Sequence, residues 1–468
     1  LYPGAQILTT LGNFTKDRRK KMVARIATGD YDLIILTHEH LDMLPMRPVT
    51  REAFVNAELE ELQGCIDDYK SADSDRGDAR AVKRLEKLKQ NIEERLIDAI
   101  QNSRKDDAVF FEETGIDFLF VDESHHYKSL PCYTKRDRVK GIPSSRSDKA
   151  TNLWMRARWL QQRNAGRGLA FATGTCITNS LCELYILQRY LQYDELVDRG
   201  VAAFDAWANV FGDLVTRVEY AVTGDFKAVT RFAKYVNIPE LLQIAGQMMD
   251  VQFADGIIDI KRPERRDSVI SSPMSADQKR YLQRLKERAK RLKKVEPSED
   301  NMLAISNDAR KMSLDFRLIR RSAVDGPDSK INKLVENVLR IYRERPQSTQ
   351  LVFCDLGVNL APTGFWVYGD IIDKLVEGGI ARDLIIDFSR VTDRAKEEAM
   401  KRLRSGEAVI GLGSTATLGT GVNVQDRCYA GHHVDVPWRP DAVEQRDGRV
   451  WRHGNMHYDL HEPVALYR

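Results

Sequence analysis

The stretch FLFVDESHHYKSL at residues 118–130 decides the fold, because an apolar run ends there in two acids. Apolar runs rich in Phe and Val are typical of buried strands in parallel sheets. Open α/β sheets bind ligands outside the carboxyl ends of their strands. Asp122 and Glu123 therefore stand where phosphate-bound Mg²⁺ and an attacking water would lie. Helix capping by Asp122 after an ordinary strand is an equally good explanation of this stretch alone.

The composition is that of a large globular chain with little net charge. The 468 residues suffice for two or three domains, and 42% are hydrophobic and 30% charged. The formal net charge is +3, so any nucleic-acid path has to be a local basic stripe. No apolar run reaches membrane-spanning length. Six scattered cysteines without a Cys-x-x-Cys pair predict a reduced, cytoplasmic compartment.

A first α/β lobe is predicted for residues 1–265. Its opening segments AQILTT, KDRRKKMVARIATGDY and DLIILTHEH predict a strand, a basic helix and a strand, which make one parallel βαβ unit. His38 and His40 would then share one face of the second strand. Residues 49–107 predict a charged helical hairpin inserted in the lobe, and residues 195–265 look helical and irregular.

Two further segments of this lobe carry candidate site residues. GLAFATGT ends a predicted buried strand in Thr173, Gly174 and Thr175, whose hydroxyls can hydrogen-bond neighbouring acids. The stretch PCYTKRDRVKGIPSSRSDKA is basic and polar, and it is either a solvated loop or a contact to a phosphate backbone. The candidate nucleic-acid residues in and beside it are Arg136, Lys140, Arg146 and Lys149.

A second α/β lobe is predicted for residues 329–468, after a helical bridge at residues 266–328. The strands TQLVFCDLG, DLIIDFS, AVIGLGST, RCYAGHHVDVP and PVALYR alternate with helical segments, which predicts a doubly wound sheet. The fold class is therefore α/β with two parallel-sheet lobes and a helical hairpin insertion in the first.

Two stretches of the second lobe point to phosphate chemistry. GSTATLGTGVNVQ at residues 413–425 combines glycines, which allow close backbone approach, with hydroxyls. In DVPWRPDAVEQRDGRVWRHGN, Gln445, Arg449 and Arg452 have the spacing i, i+4 and i+7, which predicts one helix face. Arginines presented together can clamp a triphosphate. The alternative is an exposed, salt-bridged helix, which leaves the glutamine and the glycine loop unexplained.

The order of these stretches resembles that of superfamily 2 helicases, and more closely the Swi/Snf-type ATPases with two RecA-like lobes. The chain is most similar to the large helicase-like proteins of phages and conjugative elements, including the DarB-like antirestriction type. That pattern has an LYPGA start, RIATGDYD, TGT-x-I-x-NS and HH-x-D-x-PWRP-x-x-x-EQRDGR, all of which occur here. The resemblance covers almost the whole chain.

The resemblance implies a DNA-dependent ATPase and translocase that uses ATP and Mg²⁺ on duplex DNA, in a polypeptide that can carry further domains such as a methyltransferase. It implies that Asp122 binds Mg²⁺ and that Glu123 activates water. The implied coupling motif is Thr173, Gly174 and Thr175. The implied nucleotide- and DNA-sensing loop contains Gly419, Thr420 and Gly421. The implied second-lobe motif is Gln445, Arg449 and Arg452, with the arginines as fingers.

The chain departs from the family pattern in a few places. Ser124 replaces the usual alanine, Cys176 a proline and His453 a glutamine. No G-x-x-x-x-G-K-[ST] phosphate loop occurs in the 468 residues. We therefore expect a core truncated before that loop, active in full-length form but inactive as this piece alone. The rival hypothesis is a non-catalytic DNA- or partner-binding module that retains the fold.

Overall fold

The chain forms two compact units in a computed structural model. One unit comprises Leu1–Glu219 and Ala228–Val251, and the other Tyr220–Lys227 and Gln252–Arg468. The structure describes residues 2–10, 16–71, 78–103, 109–134, 136, 139–142, 147–177, 180–220, 226–252, 260–292, 295–296, 299–419 and 422–468. Within these ranges, no helix has the length and apolar character needed to cross a membrane.

The strands of the first unit are short and form two parallel pairs. β1 (Ile7–Thr9) pairs with β2 (Leu33–Ile35), and β3 (Leu119–Val121) pairs with β4 (Leu169–Phe171). These four strands lie where the apolar runs predict them, so the parallel α/β character of this unit is confirmed.

Two longer strands occupy part of the segment predicted to be helical and irregular. β5 (Gly212–Tyr220) and β6 (Phe226–Tyr235) form a separate two-stranded sheet, so the prediction for residues 195–265 is wrong there. GDLVTRVEY contains the β-branched Val215, Thr216 and Val218, which are residue types enriched in strands.

The first unit contains nine helices within the described residues. They are α1 (Lys16–Thr28), α2 (His38–Asp42), α3 (Pro48–Ser71), α4 (Asp78–Ser103), α5 (Asp148–Arg163), α6 (Cys182–Leu191), α7 (Tyr193–Asp198), α8 (Phe204–Phe211) and α9 (Ile238–Ala245). α3 and α4 pack through Leu62, Ile66 and Leu85, which confirms the helical hairpin. His38 and His40 lie on α2 rather than on a strand, because Thr37 Oγ1 accepts from the His40 N–H and caps that helix.

The second unit is built on a six-stranded sheet in the order β7–β12–β11–β8–β10–β9, with all neighbours parallel. Its strands are β7 (Arg265–Ser268), β8 (Thr349–Phe353), β9 (Ile385–Asp387), β10 (Ile410–Gly413), β11 (Cys428–His433) and β12 (Val464–Tyr467). Its helices are α10 (Ala276–Arg291), α11 (Met302–Leu314), α12 (Lys330–Glu344), α13 (Val367–Glu377), α14 (Asp393–Ser405) and α15 (Pro440–Val450). The predicted doubly wound sheet is confirmed, and it gains the unpredicted edge strand β7 from the segment expected to be a helical bridge.

Alternation along the central strand β8 explains why both faces of this sheet are covered. Val352 packs in one apolar cluster with Val338 of α12 and Ile371 of α13. Leu351 on the opposite face packs in another cluster with Leu403 of α14. Successive side chains of a strand point to opposite faces, so the apolar run at residues 351–353 of β8 requires helices on both sides. Burial of each such side chain stabilises the fold by about 1.5–3 kcal/mol.

Candidate functional site

Two exposed carboxylates stand at the carboxyl end of β3. Asp122 and Glu123 follow Val121, and the Asp122 carboxylate accepts the Glu123 N–H at 2.9 Å. Glu123 has φ 50° and ψ 44°, a left-handed conformation that is uncommon for a residue with a side chain. The Ser124 N–H donates to the Ala172 carbonyl at 3.0 Å, which fixes the turn against the end of β4. The backbone strain is thus held at the acids, as often occurs at functional sites.

His38 and Lys149 form a chain of hydrogen bonds that ends at the backbone of this turn. His38 Nε2 lies 3.0 Å from the Asp122 carbonyl oxygen, and Lys149 Nζ lies 3.2 Å from His38 Nδ1. An ammonium can only donate, so Nδ1 accepts and Nε2–H donates, which assigns a neutral imidazole. Burial, followed by the charge of Lys149, lowers the pKa of His38. Lys149, which was predicted to bind nucleic acid, therefore contacts His38, the residue that binds the backbone of the acidic turn.

A hydrogen bond from Lys128 joins the segment after the acidic turn to the threonine turn after β4, and a buried ion pair fixes the same lysine. Lys128 donates to the Thr175 carbonyl at 2.6 Å and lies 3.0 Å from a carboxylate oxygen of Glu183 on α6. The Thr175 N–H donates to Thr173 Oγ1 at 3.1 Å. A Cβ added to Gly174 would meet nothing within 4 Å, so packing does not require glycine there. The predicted residues of this motif do lie beside the acids, whereas Lys128 and Glu183 were not predicted.

The carboxylates are compatible with a nucleotide-bound Mg²⁺. Among the residues that the structure describes, no group of three or more His, Cys, Asp or Glu side chains could hold a metal ion by itself. Mg²⁺ that arrives with a nucleotide needs only one or two carboxylates besides phosphates and waters. The exposed carboxylate of Asp122 satisfies that requirement.

Two of the predicted nucleic-acid residues are engaged with acids or with a strand. Arg136 donates to Asn209 at 2.5 Å and lies 3.6 Å from Asp205, with its side chain 20% exposed. The Lys140 N–H donates to the Thr230 carbonyl on β6 at 3.0 Å. Lys140 Nζ lies 3.7 Å from Glu219. Arg146 lies outside the described residues.

In the second unit, a tight segment follows β10 and requires a glycine before it. Residues Thr415–Gly419 form one π-helical turn. A Cβ on Gly413 would lie 2.7 Å from Leu418 Cβ and 2.9 Å from Thr417 Oγ1, closer than real Cβ atoms approach. The predicted Gly419 ends this turn, whereas Thr420 and Gly421 lie outside the described residues. The glycine-rich loop is therefore tightly built at its start.

A fully buried arginine on α15 fixes the same turn. Arg446 is 0% exposed and donates from Nε to Thr415 Oγ1 at 2.9 Å. Its Nη2 lies 2.8 Å from Asp355 and 3.1 Å from Asp435. The Asp435 carboxylate also accepts the N–H groups of Asp355 and Leu356 at 2.9–3.0 Å. This network, made of Asp355, Thr415, Asp435 and Arg446, joins the carboxyl ends of β8, β10 and β11.

The helix that carries the predicted second-lobe motif is shorter than expected. α15 ends at Val450, so Gln445 and Arg449 lie on it but Arg452 follows it. The predicted shared face of all three side chains is therefore wrong for Arg452. The helix ends because Trp451, the residue after Val450, has a non-helical backbone with φ −90° and ψ 79°. Its indole N–H donates to the Pro263 carbonyl at 2.7 Å.

The two candidate finger arginines differ in their surroundings. Arg449 donates to the carbonyls of Gly419 at 2.8 Å and Val422 at 2.8 Å, so it holds the glycine loop on both sides of the undescribed residues. Arg452 is exposed, and within the described ranges no hydrogen bond or ion pair of its side chain is found. Arg452 can therefore meet a ligand without breaking an existing contact.

Sequence comparisons identify the family of the chain. The family model described as "Probable helicase domain" matches residues 1–253, more than half of the chain. The chain belongs to that helicase family. A second model, described as "Helicase conserved C-terminal domain", matches residues 376–454. The predicted resemblance to helicases is thereby confirmed.

A curated relative and several solved structures are also similar to parts of this helicase chain. Defense against restriction protein B of Escherichia phage P1 is 20% identical over 271 residues, which are 56% of this chain and 12% of that protein. The chain thus spans about an eighth of that relative. The C-terminal part of the Fun30 ATPase domain is 14% identical with a TM-score of 0.34, covering 44% of this chain and 84% of that one. The DUF1998 helicase MrfA, solved with DNA and AMPPNP, is 15% identical with a TM-score of 0.24, covering 30% and 17%.

Proposed function

We propose that this chain is the core of a DNA-dependent ATPase that translocates on duplex DNA. The observation that carries the proposal is the pair Asp122 and Glu123, exposed in a strained turn at the carboxyl end of β3. Membership of the helicase family supports ATP and Mg²⁺ as the ligands. The named relative supports a role in protecting DNA from restriction, in a longer protein that carries further domains.

The proposed chemistry assigns one task to each acid. Asp122 would hold the Mg²⁺ that accompanies the nucleotide, and the bound ion would supply positive charge beside the phosphates. Glu123 orients a water and accepts its proton as the oxygen attacks the terminal phosphorus. The bond between that phosphorus and the bridging oxygen breaks, which leaves ADP and inorganic phosphate. The turn needs little rearrangement, because its backbone is already fixed to the end of β4.

The buried pair of Lys128 and Glu183 is the proposed link from nucleotide state to the rest of the first unit. Lys128 lies four residues after Ser124 and binds the Thr175 carbonyl, so displacement of the acidic turn would be felt at the threonine turn. The buried carboxylate of Glu183 fixes the Lys128 ammonium, so the hydrogen bond from Lys128 to Thr175 would couple the positions of the two turns. In the second unit, Arg449 and Arg452 are the proposed phosphate-contacting arginines.

A non-catalytic module that binds DNA or a partner is the second candidate function. The observation that favours it is that residues 1–468 contain no G-x-x-x-x-G-K-[ST]. Such a module would bind DNA but would not hydrolyse ATP at any DNA concentration.

The test is the Glu123→Gln variant in the full-length protein, measured by steady-state ATP hydrolysis with and without duplex DNA. The variant keeps the size of the side chain and removes the base. We expect ATP binding to persist and DNA-stimulated turnover to fall by about two orders of magnitude or more. Glu60→Gln is the matched control, because Glu60 is an exposed acid on α3. Unchanged turnover in Glu123→Gln would contradict the assignment, and a wild type that binds DNA without hydrolysis would favour the second candidate.

A further inference from the structure

The basic helix α10 has an apolar side that is fully used in packing. Its buried residues Leu285 and Ala289 pack against Ile305 of α11. A capping box at its start joins Ser275 and Gln278 in both directions. The helix is further fixed by Gln278, whose side-chain amide donates to the Met312 carbonyl at 2.8 Å, and by Tyr281, whose ring contacts Phe316.

The inward arginine of α10 occupies the acids of the neighbouring segment. Arg288 forms two hydrogen bonds of 2.9 Å with Asp300 and one of 2.7 Å with Asp308. These contacts raise the pKa of Arg288 and lower that of Asp300. Neither aspartate is therefore left to neutralise the outer face.

The outer face of α10 is almost purely cationic. Residues 279–291 contain seven basic residues and one acid, Glu287. The exposed cations are Lys279, Arg280, Arg284, Lys286, Lys290 and Arg291. Across the part of the chain that the structure describes, Arg280 is the only one of these six with an ion pair, which it forms with Asp277.

This arrangement is unfavourable for a helix that meets only water. Arg280 and Arg284 are four residues apart, as are Lys286 and Lys290. Like charges at that spacing destabilise a helix by about 0.2–0.5 kcal/mol per pair. An ordinary solvated helix mixes both signs along its face. A bound polyanion would screen the repulsion between these side chains, and each of them would be attracted to its negative charges.

We propose that the outer face of α10 binds the phosphate backbone of nucleic acid. The proposal rests on the proposed function and adds a surface to it. Lys279, Lys286 and Lys290 form a row that spans about 16 Å at 1.5 Å per residue, long enough to meet several phosphates. Contacts from lysine ammonium groups to phosphates carry no sequence information, which suits a protein that moves along nucleic acid.

The packing of α10 favours nucleic acid over an anionic membrane. A helix that lies in a membrane interface presents an apolar face to the lipid. The apolar side of α10 is occupied by α11, with Leu285 only 3% exposed. Charge alone is left for binding, and the interaction should therefore be strongly dependent on salt.

The test compares two triple variants of residues 1–468 with equal changes in net charge. The first is Lys279→Ser, Lys286→Ser and Lys290→Ser. The matched control is Lys21→Ser, Lys83→Ser and Lys401→Ser, because these lysines are exposed on three other helices. Affinity for a fluorescent DNA duplex, a single strand and an RNA duplex is measured from about 50 to 200 mM salt.

We expect the α10 variant to lower the salt slope on duplex DNA by about 2.7, because each phosphate that a lysine no longer neutralises lowers it by about 0.9. When the salt concentration rises fourfold, the affinity of the wild type should therefore fall by a factor about 40 times larger than that of the α10 variant. The control should change the slope by less than about 0.9. The two variants should lose a similar, small amount of thermal stability, because each replaces three exposed helical lysines by serine, a weaker helix former. A structural role of the α10 lysines would make the α10 variant clearly less stable than its control.

Three outcomes would overturn the proposal. Equal slopes for the α10 variant and its control would reject this surface while leaving the proposed function intact. A wild type that binds no nucleic acid would reject both. Binding to phosphatidylserine vesicles that depends on α10, without such dependence on nucleic acid, would reassign the surface to membranes.

Discussion

Replacement of Arg446 by methionine tests whether the buried network holds the second unit together. The side chain is 0% exposed and binds Thr415, Asp355 and Asp435. Its loss takes the nearest cation from Asp355 and Asp435, although Asp435 still has Arg310 at 3.8 Å. Breaking a buried ion pair costs about 3–5 kcal/mol. The lower end applies, because Asp435 keeps two backbone N–H donors and Asp355 is 29% exposed. We therefore expect the second unit to lose about 3 kcal/mol.

The assay is urea unfolding monitored by hydrogen exchange of peptides from β8 and β10. Both strands belong to the second unit, so the exchange reports on that unit alone. With a slope of about 2 kcal/mol per molar urea, the midpoint should fall by about 1.5 M. Arg452→Met is the control, because Arg452 is an exposed arginine six residues after Arg446. Its effect should stay within about 0.5 kcal/mol.

A double-mutant cycle then separates the ion pair from general disruption. Asp355→Asn combined with Arg446→Met removes one of the uncompensated charges, so the double variant should be more stable than the sum of the single effects predicts. A coupling of about 0.5–3 kcal/mol is expected for residues in one network. A midpoint for Arg446→Met equal to that of the Arg452→Met control would refute the reasoning.

Two further predictions concern the second unit. Arg449→Lys and Arg452→Lys keep the charge but lose the planar guanidinium group. DNA-stimulated turnover of the full-length protein should therefore fall by up to about 10³-fold, while DNA binding should change little. Near-normal turnover in either variant would show that the replaced arginine is structural. Burial, followed by the charges of His433 and Arg340, lowers the pKa of His432 to about 3. The neutral ring therefore stabilises the fold fully above pH ~6.5, and about 2 kcal/mol is lost as pH falls from 6.5 to 5. His432→Gln should flatten that part of the stability curve, and an unchanged slope would show that His432 does not cause it.

The sequence predicts the central strands well because burial on both faces leaves an apolar run. β8 in TQLVF and β10 in IGLG are such strands. β7 could not be found this way, since its sequence RRDS is polar and all four residues are exposed. It is a strand because its backbone pairs with β12, from Val464 to Tyr467. That pairing joins residues almost two hundred positions apart, and no local pattern encodes it.

The site residues that directly follow a strand could be predicted from the sequence. The residues that contact them from distant positions in the chain could not. Asp122 and Glu123 follow an apolar run, so their position at the strand end could be predicted. The support from His38 could not, because 84 residues separate it from Asp122. The link from Lys128 to Thr175 crosses 47 positions in the same way.

The three arginines of the α15 region show why residue type alone does not assign a role. Arg446, Arg449 and Arg452 follow one another at intervals of three residues, and nothing in the local sequence ranks them. Their contacts distinguish them. Arg446 forms ion pairs with two carboxylates, Arg449 donates to two loop carbonyls, and Arg452 follows the end of the helix and is exposed to solvent. A ligand phosphate would have to compete with those carbonyls for Arg449 but only with water for Arg452. We therefore expect a phosphate that binds Arg449 to change the shape of the glycine loop, whereas a phosphate that binds Arg452 would leave that loop in place.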